Sequence, residues 1–77
     1  MPKLSPVSAK ELIKILQKQE FVRVHQKGSH VRLKHPDGRR TSVPMHAGEK
    51  VGVGLLLKIL RDCNITRSEF EKMEGKV

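Results

Sequence analysis

The chain has no tryptophan, no tyrosine and only two phenylalanines, Phe21 and Phe70, in 77 residues. Proteins that read splayed-out single-stranded bases stack them on aromatic rings, so readers of that kind are disfavoured. A single cysteine, Cys63, excludes an internal disulfide, and one thiol makes no zinc cluster without other ligand types. No apolar run approaches the roughly 18 residues of a membrane span, and the opening Met-Pro-Lys-Leu-Ser-Pro lacks the apolar stretch of a signal peptide. A cytoplasmic protein is expected. Acidic residues are scarce as well, eight against sixteen Lys and Arg, and the formal net charge is +8. Polyanions, nucleic acid first among them, are the partners that such a balance suits. A chain this short buries only about 60% of its unfolded surface and supports one domain, taken as residues 1–77.

The positive charge is concentrated. Residues 1–20 carry four basic and two acidic residues, and residues 47–77 carry six and five. Residues 21–46 carry Arg23, Lys27, Arg32, Lys34, Arg39 and Arg40 against Asp37 alone, and all four histidines, His25, His30, His35 and His46, fall there too. Such a stretch is either a polyanion-binding surface or a solvated face that keeps the protein soluble.

Ser8-Ala9-Lys10-Glu11 has the spacing of a capping box, which predicts a helix beginning at Ala9 with Ala9, Leu12, Ile13, Ile15 and Leu16 as its apolar stripe. From Phe21 the pattern changes to β-branched alternation, predicting a strand to about Gln26, then a turn at Lys27-Gly28 and a second strand over Ser29 to His35. Pro36-Asp37-Gly38 is a turn signal, and Arg40 to Val43 makes a third strand ended by Pro44. The run Leu55 to Leu60 has the density of a buried helix, with Leu56, Ile59, Leu60 and Cys63 on one face and Asn64 closing it. Thr66-Arg67-Ser68-Glu69 is a second capping box, with Ile65 and Phe70 as a hydrophobic staple around a short helix to about Met73. The expected fold class is α+β: a three-stranded antiparallel sheet with two helices on one face, plus a short C-terminal helix. Strand alternation places Val22, Val24, Val31, Leu33, Thr41 and Val43 inward, leaving Arg23, His25, His30, Arg32, Lys34 and Arg40 on an open face.

Gly28-Ser29-His30, the strand and turn through Pro36-Asp37-Gly38, Pro44-Met45-His46 and Gly54 to Arg61 together resemble the HicA family of toxin ribonucleases, over about residues 8–66. The resemblance implies a fold like the double-stranded-RNA-binding domain and the toxin role in a type II toxin-antitoxin system. It also implies metal-independent cleavage of mRNA, which inhibits translation, and neutralisation by a HicB-like antitoxin protein. The family's catalytic histidine sits in the Gly-Ser-His element and maps onto His30. Two departures stand out. Glu49 to Val53 replaces a Lys- and Leu-containing run that commonly ends in Pro, and Asn64 stands where Gly is frequent, which leaves the start of the second long helix open.

RNA cleavage needs a base for the 2′-hydroxyl proton or an acid for the departing 5′ oxygen, and imidazole can serve as either. Cations at Lys27, Arg32 and Lys34 favour a neutral, proton-accepting His30 and stabilise charge building on the phosphorane. Arg23, Arg32, Lys34, Arg39 and Arg40 are assigned to phosphate contacts, and Lys27, Gly28 and Ser29 to the RNA backbone beside the histidine. His46 either helps hold a phosphate or is a turn residue without a role, and His25 shares the open face and is within reach of RNA. His35 belongs at the strand end beside the Pro36 turn. The paired carboxylates of two-metal nucleases are missing, so no metal and no other cofactor is expected. Cys63 is read as core. The alternatives are a non-catalytic RNA-binding module of the same fold, or an adaptor for an acidic partner.

Overall fold

The computed structural model describes residues 5–45 and 50–74. In chain order the elements are β1 (Val7–Ser8), α1 (Ala9–Lys18), β2 (Val22–Lys27), β3 (His30–Lys34), β4 (Arg40–Pro44), β5 (Lys50–Val51), α2 (Val53–Asp62) and α3 (Arg67–Glu74). The fold is α+β: β2, β3 and β4 form an antiparallel sheet in that spatial order, as the alternating pattern predicts. A two-residue antiparallel pairing of β1 with β5 was not expected. It is too short to leave a periodic signal, yet it ties the entry of α1 to the entry of α2.

The helix boundaries follow from their caps. Glu11 N–H donates to Ser8 Oγ at 3.1 Å, so α1 starts at Ala9. At the other capping box both halves form, Thr66 N–H donating to Glu69 Oε1 at 2.9 Å and Glu69 N–H to Thr66 Oγ1 at 3.1 Å. Both long helices end in Schellman closures. Phe21 N–H reaches Leu16 O and Glu20 N–H reaches Gln17 O, while Ile65 N–H reaches Leu60 O and Asn64 N–H reaches Arg61 O. The residue in the left-handed position is Asn64 at φ 56° in one and Glu20 at φ 74° in the other. Asparagine tolerates that conformation, whereas glutamate adopts it at a cost of about 1–2 kcal/mol.

One cluster of buried side chains holds the layers together. It contains the predicted stripe of α1, Leu56, Ile59, Leu60 and Cys63 from the second helix and its cap, Val31, Leu33 and Val43 from the sheet, and Ile65 and Phe70 from the C-terminal staple. Val31, Leu33 and Val43 are fully buried, each contributing about 1.5–3 kcal/mol by leaving water. Thr41 is also buried, and its hydroxyl lies 3.2 Å from Asp62 Oδ2.

Strand β2 departs from expectation. Val22 and Val24, expected inward, are 57% and 58% exposed, and every residue of β2 is exposed. The helices pack over β4, so β2 overhangs the hydrophobic layer. A β-bulge causes the rest: Arg23 pairs with Leu33 and His25 with Arg32, leaving Val24 as an extra residue. An extra residue reverses the phase of everything before it. Residues directly opposite each other share a face, so Val22, opposite Lys34, lies on the open face, and Arg23, opposite Leu33, turns to the helix side. Phe21, expected to begin this strand, precedes it and is buried as the residue that closes α1.

Candidate nucleic-acid interface

The open face is set by the tight turn between β2 and β3. Gly28 at φ 59° is the first central residue of a two-residue hairpin and Ser29 has an ordinary negative φ, the pattern of a type II′ turn. A Cβ at Gly28 would meet nothing within 4 Å, so glycine is needed there for its backbone angle and not for space. Ser29 has its carbonyl engaged by Met45 N–H, which continues the β3–β4 ladder. The turn places Lys27 directly opposite His30.

Three rows of side chains then cross the sheet. The first is Lys27, His30 and Pro44; the second is His25, Arg32 and Ser42; the third is Val22, Lys34 and Arg40. The imidazoles of His25 and His30 and the cations Lys27, Arg32, Lys34 and Arg40 belong to exposed residues. No residue of these three strands is acidic, and among the described residues no hydrogen bond or ion pair engages those six side chains. Lys34 and Arg40 face each other directly, a like-charge pairing that costs folding energy. A surface that concentrates unneutralised positive charge in this way suits a run of phosphates. Ser42, at the β4 end of the second row, adds a hydroxyl that strand alternation already turned outward.

Two of the arginines assigned to phosphate contacts, Arg23 and Arg39, lie off this face. The bulge turns Arg23 to the helix side, where it donates to Gln26 Oε1 at 3.0 Å and lines a groove with Lys10, Lys14 and Gln17 of α1. Arg39 is engaged by the protein itself: its Nε donates to Asp37 Oδ2 at 2.7 Å, its Nη1 to the Cys63 carbonyl, and its guanidinium lies 5.2 Å from the Phe21 ring centre. Arg39 N–H also donates to Asp37 Oδ1, and these contacts, the backbone one foremost, hold the Asp37 carboxyl below its usual range. His35 sits at the strand end as expected, its ring packed edge-on against Phe21 and its Nδ1 3.0 Å from Asp37 Oδ1. His46 lies outside the described residues.

Cys63 is fully buried, and burial pushes its thiol up to about 11, which keeps it protonated and unreactive near neutral pH. Among the described residues no three His, Cys, Asp or Glu side chains come together as a metal-binding group, and no helix is long and apolar enough to cross a membrane.

A comparison with curated proteins returns no match. Residues 9–65, from the first residue of α1 to the residue that closes α2, match the family model described as the HicA toxin of bacterial toxin-antitoxin systems. That match covers most of the chain, including every element that builds the cationic face, and the protein belongs to the HicA toxin family.

Proposed function

We propose that this HicA-family toxin is an endoribonuclease that cleaves mRNA without a metal ion and so inhibits translation, with His30 as the catalytic acid-base group. The observation that carries the reading is the position of His30: exposed, first residue of its strand, directly opposite Lys27 and flanked by Arg32 on a face without carboxylates. Lys27, Arg32, Lys34 and Arg40 bind phosphates of the RNA backbone, and Gly28 and Ser29 bring the hairpin backbone to the RNA. His46 is assigned to the same ligand on its place in the sequence. Arg23 and Arg39 fit the phosphate role less well, since one faces α1 and the other is held by Asp37.

Cleavage follows from the chemistry of ribose. A neutral imidazole takes the 2′-hydroxyl proton, the 2′ oxygen attacks the adjacent phosphorus, and fixed cations offset the charge that develops on the phosphorane. General acid-base catalysis of this kind is worth about 10²–10⁴-fold. The antitoxin, a HicB-like protein, silences the toxin by covering the cationic face. The cytoplasm, where mRNA is translated, is the compartment the reading requires.

Incubating the purified protein with a labelled transcript in EDTA, alongside His30→Ala, tests the proposal. Cleavage by the wild type with loss of about 10²–10⁴-fold in the variant is expected, while RNA binding by the variant survives. Intact RNA with both proteins, bound by both, would assign the fold to an RNA-binding module instead.

A further inference from the structure

The register of β2 against β3 puts two imidazoles and two cations at the corners of one square on the open face. His25 is opposite Arg32 and Lys27 is opposite His30, so the histidines occupy one diagonal and Arg32 and Lys27 the other. Diagonal neighbours on one face of a sheet lie about 7–8 Å apart between Cα atoms, within reach of long and aromatic side chains. We infer that His25 is a second catalytic residue, the general acid that protonates the leaving 5′ oxygen while His30 acts as base. The inference rests on the ribonuclease reading above and adds to it a residue, a role and a geometry.

The square matches what in-line displacement demands. The attacking 2′ oxygen and the leaving 5′ oxygen lie on opposite sides of phosphorus, so the base and the acid must stand on opposite sides of the phosphate. Each needs a hydrogen bond of about 2.6–3.2 Å to its own oxygen. Imidazoles at opposite corners meet this requirement, and Arg32 and Lys27 at the remaining corners take the two non-bridging oxygens. One imidazole alone would have to serve both sides of the reaction.

The step balances. The 2′-hydroxyl proton passes to His30, the bond between the 2′ oxygen and phosphorus forms, the bond from phosphorus to the 5′ oxygen breaks, and the His25 imidazolium proton goes to that oxygen. The products are a 2′,3′-cyclic phosphate and a 5′-hydroxyl, and exchange with water restores both rings. The groups facing His25 are Arg32 across the ladder, Lys27 two residues along β2, and His30 and Lys34 on the diagonals, with no carboxylate on the three strands.

The test uses one oligoribonucleotide that the wild type cleaves, and the same oligonucleotide with sulfur in place of the 5′ oxygen at the cleaved linkage. A thiolate leaves without being protonated, so the sulfur substrate needs a base and no acid. Expected is a loss of about 10²–10⁴-fold for His25→Gln on the oxygen substrate, near wild-type cleavage of the sulfur substrate, and loss of the alkaline limb of the pH-rate profile. His30→Gln should stay slow on both substrates. Wild-type rates for His25→Gln on the oxygen substrate overturn the inference and leave the ribonuclease reading standing; so does equal slowing on both substrates, which marks a binding role. Rescue of His30→Gln by sulfur with none for His25→Gln reverses the roles and overturns the assignment of His25 as acid. If the wild type cleaves no oligoribonucleotide, the ribonuclease reading falls and the inference with it; if His30→Gln cleaves like the wild type, His30 is not the base and the pairing inferred for His25 falls while the ribonuclease activity stands. Because His25 is exposed, His25→Gln should melt like the wild type, which separates these outcomes from misfolding.

Discussion

The two faces of the three-stranded sheet are made by alternate residues of the same strands, and they obey opposite rules. On the helix side Val31, Leu33 and Val43 are fully buried among aliphatic neighbours from both long helices. On the open side His30, Arg32, Lys34 and Arg40 stand exposed, with like charges opposed. Where the chain uses charge for structure, it pairs it: Arg39 with Asp37, and Glu69 with the Thr66 backbone. Where it leaves charge unpaired, it gathers it on one surface. A side chain's neighbours along the strand therefore say little about its job, and its parity says much.

Adjacent residues of β3 should separate stability from function. Leu33→Ala removes a fully buried side chain and should cost about 2–5 kcal/mol in a urea or thermal unfolding curve, with the RNA affinity of the folded fraction unchanged. Arg32→Ala, one residue away, should leave stability within about 0.5 kcal/mol and weaken RNA binding. A similar loss of stability from both would erase the distinction between the faces.

A smaller effect tests whether the open face trades stability for charge. Lys34→Gln relieves the repulsion from Arg40 and should raise stability by roughly 0.2–1 kcal/mol. It should also lower the slope of log affinity for single-stranded RNA against log salt by about 0.7. An unchanged slope would remove Lys34 from the RNA footprint.

The smallest effect concerns the paired charges. Asp37 is held below the usual carboxylate range chiefly by the Arg39 backbone N–H, and Glu69 chiefly by the Thr66 backbone N–H. Both groups have folded values below their unfolded ones, so their contribution is present at neutral pH and is lost as pH falls from about 4 through the folded values. Melting the wild type, Asp37→Asn and Glu69→Gln between pH 7 and pH 3 should show a steeper acid decline for the wild type than for either variant.

Much of this arrangement is legible in the sequence because its causes are local. The α1 stripe, the Ser8 cap, the Thr66–Glu69 capping box, the Ile65 and Phe70 staple, the Gly28 turn and the outward parity of His30, Arg32, Lys34 and Arg40 each depend on spacings of a few residues. The errors cluster in β2, where Val22 and Val24 were expected inside and Arg23 outside. A bulge adds a residue without any marker in composition, and two valines in alternation look the same whether or not helices lie over them. The contacts that hold Arg39 are illegible for a related reason, since two of its partners, Phe21 and Cys63, are distant in sequence.

Sequence alone determined the helix stripes and their caps, the three strands of the main sheet and the tight turn ahead of His30, because short-range periodicity and steric preference encode them. Tertiary structure decided which edge of the sheet the helices leave bare, which cations are neutralised by the protein's own groups, and which imidazole shares a diagonal with His30. Those outcomes depend on strand register and helix placement, and both are settled by contacts between residues far apart along the chain.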